Sequence, residues 1–118
     1  MTLRLPTRKQ HKYRAKPCVI EGVKFHSQKE GARWLELRML EKAGDIYALS
    51  LQPLFPLVAI AECDGARNLV GCYKGDFSYC LKGSAALVVE DVKGYDTPLS
   101  RWKRKHVQAQ YGITVKLV

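Results

Sequence analysis

The stretch Leu87–Tyr95 has the sequence LVVEDVKGY, and it decides which fold the rest of the chain predicts. Its apolar first half is typical of a buried strand, yet Glu90, Asp91 and Lys93 follow directly, where a core strand rarely carries charge. Side chains alternate between the two faces of a strand, so Asp91 and Lys93 share one face and Glu90 lies on the other. The pattern predicts a strand whose end presents a carboxylate and an ammonium group together.

A second carboxylate is expected beside Asp91. Residues 69–81, LVGCYKGDFSYCL, are predicted as the preceding strand, and the short turn at 82–84 makes the two strands antiparallel. Asp76 and Asp91 then stand at similar distances from the turn, which brings them to the same end of the sheet. Two neighbouring carboxylates favour a cation between them, and their oxygens suit Mg²⁺ or Mn²⁺. Lys93 is expected to orient or deprotonate a water molecule there, or to stabilise charge on a phosphate.

The clearest helix is predicted over residues 27–43. Ser27 is a good N-cap, and Glu30 stands three residues later at the spacing of a capping box. Apolar residues recur near helical spacing along one side, which predicts the buried face. These residues are Ala32, Leu35, Met39, Leu40 and Ala43.

The remaining segments predict one mixed sheet with helices on its faces. Residues 98–111 are predicted as a second helix, with Thr97 as its cap and Pro98 at its first position. Further strands are predicted at 18–25 as a short hairpin, and at 46–52, 53–60 and 113–118. This order predicts a single α/β or α+β domain over residues 17–118.

The charge of the chain predicts a polyanionic partner. The net charge is +9, from 20 Lys and Arg against 11 Asp and Glu, and nucleic acid is the simplest polyanion. The basic residues are clustered in a flexible arm over residues 1–16 and at the start of the second helix, as a phosphate-binding surface requires. Those expected to contact the DNA backbone are Arg8, Lys9, Lys12, Arg14, Arg101, Lys103, Arg104 and Lys105. The alternative, that the charge serves only solubility, stays open.

The composition also bears on compartment and cofactor. No apolar run is long enough to span a membrane, and the basic N-terminus lacks the apolar core of a secretory signal, so a cytoplasmic protein is expected. The four cysteines form no C-x-x-C pair, which favours reduced thiols over a zinc site. We expect no membrane partner and no small-molecule organic cofactor.

Asp76 and the Asp91-Val92-Lys93 tripeptide carry a resemblance to a known family. Their order resembles the bipartite motif of the PD-(D/E)XK nuclease superfamily, although Gly75 stands where that motif often has proline. The segments SQKEGARWLEL, LSLQPLFPL, GDFSY and VVEDVKGY are similar to those of small phage and prophage proteins with this nuclease fold. The resemblance covers about residues 22–118, and it implies a restriction-endonuclease-like sheet in the order α-β-β-β-α-β.

The resemblance implies a Mg²⁺- or Mn²⁺-dependent DNA endonuclease in the cytoplasm of a bacterial host, associated with the nucleoid. Holliday-junction resolvases belong to the superfamily, so branched DNA is an expected substrate, and symmetric cutting of two strands implies a homodimer. The implied catalytic residues are Asp76, Asp91, Lys93 and Glu30, and the implied metal ligands are Asp76, Asp91 and Glu30. Glu90 is expected on the other face of its strand, paired with an Arg or Lys, in a structural role or as a residue that supports the site. Gln52 is expected near the site or as a solvated amide. Lys105 and Gln108 of the second helix are expected either to face the site or to form a solvated face.

Other interpretations remain open from the sequence. Glu30 is also accounted for by helix capping alone. A non-catalytic nucleic-acid-binding protein that retains the nuclease fold fits the same basic surface. The basic arm would equally suit RNA or a protein partner.

Overall fold

The computed structural model describes residues 16–118, so all of the predicted basic arm except Lys16 lies outside the described residues. This applies to the predicted DNA contacts Arg8, Lys9, Lys12 and Arg14. Among residues 16–118, no helix is long and apolar enough to cross a membrane. The four cysteines all lie in this range and are unpaired.

Residues 16–118 form two helices and eight strands. In chain order these are β1 (Cys18–Ile20), β2 (Val23–Phe25), α1 (Gln28–Ala43), β3 (Ile46–Leu51), β4 (Leu54–Ile60), β5 (Arg67–Lys74), β6 (Phe77–Leu81), β7 (Leu87–Asp91), α2 (Pro98–Tyr111) and β8 (Thr114–Leu117). The central sheet has the spatial order β3-β6-β7-β8, with β6 antiparallel to both neighbours and β8 parallel to β7. The other strands pair as two antiparallel hairpins, β1–β2 and β4–β5. The predicted mixed α+β architecture is confirmed.

Each helix packs against a different side of β7. The cluster on the α1 side consists of Phe25, Trp34, Leu37, Ile46, Phe77 and Tyr79. The cluster on the α2 side consists of Leu57, Tyr73, Val89 and Val107. Val88 packs against the first cluster and Val89 belongs to the second, as strand alternation requires. Both faces of β7 are therefore covered, and its end is held rigidly.

The buried face of α1 differs from the predicted one. The residues that the helix buries are Glu30, Gly31, Trp34 and Leu37. Every member of the predicted stripe except the half-buried Leu40 is exposed, and Met39 is 70% exposed. The Trp34 ring instead stacks on Phe77, with centroids 5.9 Å apart. An aromatic ring buries more apolar area than an aliphatic side chain, so this contact decides which side of the helix faces the sheet.

The segment 69–81, predicted as one strand, belongs to two strands separated by Gly75 and Asp76. Gly75 packs so closely on β7 that an added Cβ would lie 2.5 Å from a methyl carbon of Val89. The amide of Asp76 donates to the carbonyl oxygen of Glu90 at 2.9 Å. The break therefore fixes Asp76 beside the end of β7.

Gly75→Ala is expected to destabilise the protein by about 1–3 kcal/mol, because the new methyl group overlaps the Val89 side chain. Gly71→Ala in the same strand region is the matched control, since a Cβ at Gly71 would meet nothing within 4 Å. Its free energy of unfolding should stay within about 0.5 kcal/mol of wild type, or rise. Urea denaturation measures both, and equal midpoints for the two variants would contradict the close contact.

Candidate functional site

Three carboxylates meet at one end of the central sheet. Asp91 is the last residue of β7, Asp76 directly precedes β6, and Glu30 lies in the first turn of α1. The antiparallel pairing of β6 with β7 brings the first two together, as the sequence predicts. We refer to Glu30, Asp76 and Asp91 as the acid cluster.

Asp76 has a strongly raised pKa. Burial raises its pKa from 3.8 to about 7, the negative charges of Glu30 and Asp91 contribute, and hydrogen bonding with Asp91 adds to the rise. One opposing contact is the amide of Val92, which donates to Asp76 Oδ2 at 2.6 Å and lowers the pKa. The site thus favours either a proton on Asp76 or a cation beside it.

Glu30 faces the cluster rather than solvent, and only 5% of it is exposed. Its amide donates to Ser27 Oγ at 3.1 Å, so the predicted N-cap forms. Burial raises the pKa of the Glu30 carboxyl group, the charge of Asp91 raises it further, and Lys74 opposes the rise. A capping role alone would not require a buried carboxylate beside Asp91.

Two side chains orient the Asp91 carboxylate. The hydroxyl group of the buried Tyr73 donates to Asp91 Oδ2 at 2.6 Å, and Lys93 Nζ lies 3.4 Å from Asp91 Oδ1. Burial and the bond to Asp91 raise the pKa of Tyr73 far above its usual range, so the hydroxyl group keeps its proton. Lys93 lies just beyond the end of β7, where its amide donates to the carbonyl oxygen of Val118 at 3.3 Å. Asp91 and Lys93 therefore lie together at the end of β7, as the sequence predicts.

Glu90 lies on the opposite face of β7 and is fully buried. Arg33 of α1 donates to both of its carboxylate oxygens, at 2.7 and 2.6 Å, and the Tyr79 hydroxyl group donates to one of them. Burial works to raise the pKa of Glu90, but these hydrogen bonds outweigh it and the pKa is lowered. The prediction that Glu90 turns away from Asp91 and pairs with a basic residue is confirmed.

Gln52 contacts the acid cluster through a main-chain hydrogen bond to Asp76. It directly follows β3 with φ of 49°, a left-handed conformation that residues other than glycine rarely adopt. Its amide donates to the carbonyl oxygen of Asp76 at 2.9 Å. The expected position near the site is confirmed, and the strained turn holds Asp76 from the side opposite β7.

Arg104, predicted to contact the DNA backbone, is engaged elsewhere. It is 8% exposed, and its two terminal nitrogens donate to the two carboxylate oxygens of Asp96 at 2.8 and 2.7 Å. This pair raises the pKa of Arg104 and lowers that of Asp96. The prediction is wrong, because a buried bidentate ion pair leaves the guanidinium group unavailable to phosphate.

The other α2 residues divide between two surfaces. Lys103 lines a cleft that also contains Asp91 and Lys93, whereas the exposed Lys105 lines a different one beside Trp102. Gln108, expected to face the site, instead accepts a hydrogen bond from the amide of Val115 at 3.0 Å and so holds β8. The expectation that Lys105 and Gln108 face the site is therefore wrong. Arg101 is exposed, and one of its terminal guanidinium nitrogens lies 3.8 Å from Asp96 Oδ2.

Two clefts flank the acid cluster, and both are open to solvent. The α1 cleft has a volume of about 570 Å³, and the residues lining it include Lys16, His26, Lys29, Glu30, Lys93 and Tyr95. The α2 cleft has a volume of about 340 Å³, and the residues lining it include Tyr73, Lys74, Asp91, Lys93 and Lys103. Lys93 lines both clefts, and each cleft also contains one carboxylate of the acid cluster, Glu30 in the first and Asp91 in the second.

The family model of DUF1064, a family described as proteins of unknown function, matches residues 10–118. The chain belongs to the DUF1064 family. Searches of curated proteins and of solved structures found no match. The function of this DUF1064 protein is therefore inferred from the geometry of its site.

The acid cluster of this DUF1064 protein offers two interacting carboxylates to a metal ion. Among the residues that the structure describes, no three His, Cys, Asp or Glu side chains form a group that could hold a metal ion. The charge of Asp91 contributes to the raised pKa of Asp76, so the two carboxylates lie close enough to interact. Mg²⁺ commonly uses one or two carboxylates together with water and phosphate oxygens, so this pair fits the ion. Glu30 as a third ligand stays a prediction.

Sequence reasoning missed several residues of the DUF1064 site. Tyr73 orients Asp91, Lys29 and Lys74 line the clefts, and Arg33 neutralises Glu90. Tyr73 belongs to β5, which is not a neighbour of β7 in the sheet, so no local pattern joins it to Asp91. Lys29 stands next to Glu30 in the chain, and that adjacency was the one available signal.

Proposed function

We propose that this protein is a metal-dependent DNA endonuclease of the PD-(D/E)XK type. The observation that carries the proposal is that two carboxylates, Asp76 and Asp91, lie together beside Lys93, which lines two clefts that contain further lysines. The order of α1, β3, β6, β7, α2 and β8 also supports it, since this is the α-β-β-β-α-β order that the resemblance implies, with the β4–β5 hairpin inserted.

Asp76 and Asp91 are the residues that would hold Mg²⁺ or Mn²⁺. When bound there, the ion would polarise the scissile phosphate and lower the pKa of a water molecule. Glu30 would strengthen the negative field that attracts the ion, because its charge acts on both aspartates.

The remaining residues position the reacting groups. Hydrolysis forms a bond between water oxygen and phosphorus, breaks the bond from phosphorus to the leaving oxygen, and moves a proton from the water to that oxygen. The Lys93 ammonium group donates hydrogen bonds to the attacking water or to a phosphate oxygen as charge develops. Tyr73 holds one oxygen of Asp91, so the carboxylate keeps a fixed orientation.

A cleavage panel tests the proposal. Wild type, Asp76→Ala and Lys93→Ala are incubated with branched, nicked, flapped and linear DNA in Mg²⁺, Mn²⁺ or EDTA. We expect the wild type to cut with metal and both variants to lose activity, with branched DNA preferred. A wild type that binds these DNAs but cuts none of them would make the protein a non-catalytic DNA-binding member of this fold. Sedimentation with a branched substrate would show whether a homodimer binds.

The electrostatics of Asp76 predict how stability depends on pH without metal. Its folded pKa of about 7 exceeds the unfolded value of 3.8, so the folded state binds the extra proton and stability falls as pH rises from about 4 to 7. Asp76→Asn, whose side-chain oxygen can still accept from Val92, is expected to gain about 2 kcal/mol over wild type between pH 5 and pH 8.

Thermal denaturation between pH 5 and pH 8, with and without Mn²⁺, measures this effect. Mn²⁺ should raise the melting temperature of wild type at pH 8 and leave that of Asp76→Asn unchanged. Asp45→Asn, which changes an exposed carboxylate, serves as the control and should behave like wild type. Parallel pH profiles for wild type and Asp76→Asn would exclude the raised pKa as the cause.

A further inference from the structure

Two separate clefts lie beside Lys93, and no other lining residue is shared between them. They extend from Lys93 in different directions, one along the start of α1 and the other between β5 and the start of α2. Each cleft also presents a carboxylate of the cluster, Glu30 in the first and Asp91 in the second. A group bound at Lys93 would therefore have open space on both sides.

Basic side chains line the clefts on each side of the cluster. The α1 cleft presents Lys16 and Lys29, and the α2 cleft presents Lys74 and Lys103. Lys74 lies near enough to the cluster for its positive charge to oppose the rise in the pKa of Glu30. Positive charge on both sides of a carboxylate site suits an anionic chain that continues past the reacting phosphate in both directions.

Lys29 is held in place at the junction. Its Nζ donates to the carbonyl oxygen of Lys93 at 2.9 Å, which fixes the ammonium group beside the cluster and leaves two of its three N–H groups for a ligand. A lysine fixed in this way loses less side-chain entropy on binding a phosphate than a freely moving one. Lys29 is therefore suited to the phosphate next to the one at Lys93.

We propose that the scissile DNA strand crosses the acid cluster from one cleft into the other, so that backbone phosphates are held on both sides of the bond that is cut. This inference rests on the proposed nuclease function and adds the course of the strand. Lys29 holds the strand in the α1 cleft and Lys103 holds it in the α2 cleft. Because both clefts are open, the strand needs no free end, and cleavage occurs at internal bonds.

The first test of the path measures DNA binding, which does not require cleavage activity. The Asp91→Asn variant serves as the parent, and its affinity for a fluorescein-labelled single-stranded oligonucleotide is measured by anisotropy over a range of salt concentrations. Adding Lys29→Glu or Lys103→Glu should weaken binding at least about 5-fold each and reduce the salt slope by about 0.7 each. Lys42→Glu, at an exposed position in the last turn of α1, is the matched control and should do neither.

The path is supported if Lys29→Glu and Lys103→Glu lower DNA affinity equally and if their effects add in the double variant. A loss from only one of the two substitutions overturns it, because the strand then occupies a single cleft. Loss of binding by Lys42→Glu to the same extent also overturns it, since attraction would then depend on total charge.

Cleavage of closed DNA provides the second test. Wild type with Mn²⁺ is expected to cut a circular single strand at an initial rate within about 3-fold of a linear strand of the same sequence. Cutting of the linear strand alone would overturn the path through both clefts and would make the protein an exonuclease, while phosphodiester hydrolysis at the acid cluster would stand. Absence of cutting on every DNA would instead reject the nuclease function, and the binding measurements would then decide the path.

Discussion

Asp91→Asn is expected to lower the rate of DNA cleavage by at least about 10³-fold while the protein stays folded. The carboxylate is 5% exposed, interacts with Asp76 and lies 3.4 Å from Lys93 Nζ. Removing one group that stabilises charge in a buried reaction centre typically lowers the rate 10²- to 10³-fold, and under the proposed function a metal ligand would be lost as well. The asparagine oxygen can still accept the hydrogen bond from Tyr73, so the packing around it is retained.

Single-turnover cleavage with saturating enzyme measures this loss apart from any change in affinity. DNA binding should be retained or strengthened, because a negative charge has left the site. Asp64→Asn in the loop between β4 and β5 is the control, since it changes an exposed carboxylate far along the chain from the cluster. Cleavage by Asp91→Asn at the wild-type rate would rule out the acid cluster as the reaction centre.

Arg33→Ala is expected to destabilise the protein by about 3–5 kcal/mol, the largest effect on stability that we predict. Glu90 is fully buried, and Arg33 supplies its counter-charge through two hydrogen bonds. Without the guanidinium group the carboxylate must stay charged and unpaired in the interior or take up a proton, and both cost free energy. For a domain of this size the melting temperature should fall by more than about 10 °C.

Urea denaturation of three variants separates the buried charge from general damage to α1. Adding Glu90→Gln to Arg33→Ala should restore more than half of the lost free energy, because the buried charge is then absent. Arg38→Ala is the control, since its partner Glu21 is 59% exposed and the change should stay within about 1 kcal/mol. A loss below 1 kcal/mol for Arg33→Ala would show that Glu90 needs no counter-charge.

Local patterns predicted the elements and the two faces of β7 because they depend on short-range geometry. Alternation along a strand has a period of two residues, so the sequence alone separates Asp91 from Glu90. The caps Ser27 and Thr97 form as predicted, since capping satisfies amides within the first helical turn. The antiparallel return of β7 likewise follows from a short loop.

The errors arose where distant segments decide the outcome. Both sides of α1 carry large apolar residues, and contacts of Trp34 with Phe77 and the β1–β2 hairpin select the buried side. Arg104 finds its partner in Asp96, which lies in the loop before α2 and outside any helical spacing. The clefts around Lys93 depend on the packing of α1, β5 and α2 together, which no local pattern specifies.

Two main-chain hydrogen bonds join Asp91 and Lys93 to Val118, and they have a consequence for folding kinetics. The amide of Lys93 donates to the carbonyl oxygen of Val118, and the amide of Val118 donates to the carbonyl oxygen of Asp91. These bonds extend the parallel pairing of β7 with β8, two strands that α2 separates in the chain. Such non-local pairing is slow to form, because the intervening loop must close first. The end of β7, which carries Asp91, is therefore expected to be completed late in folding.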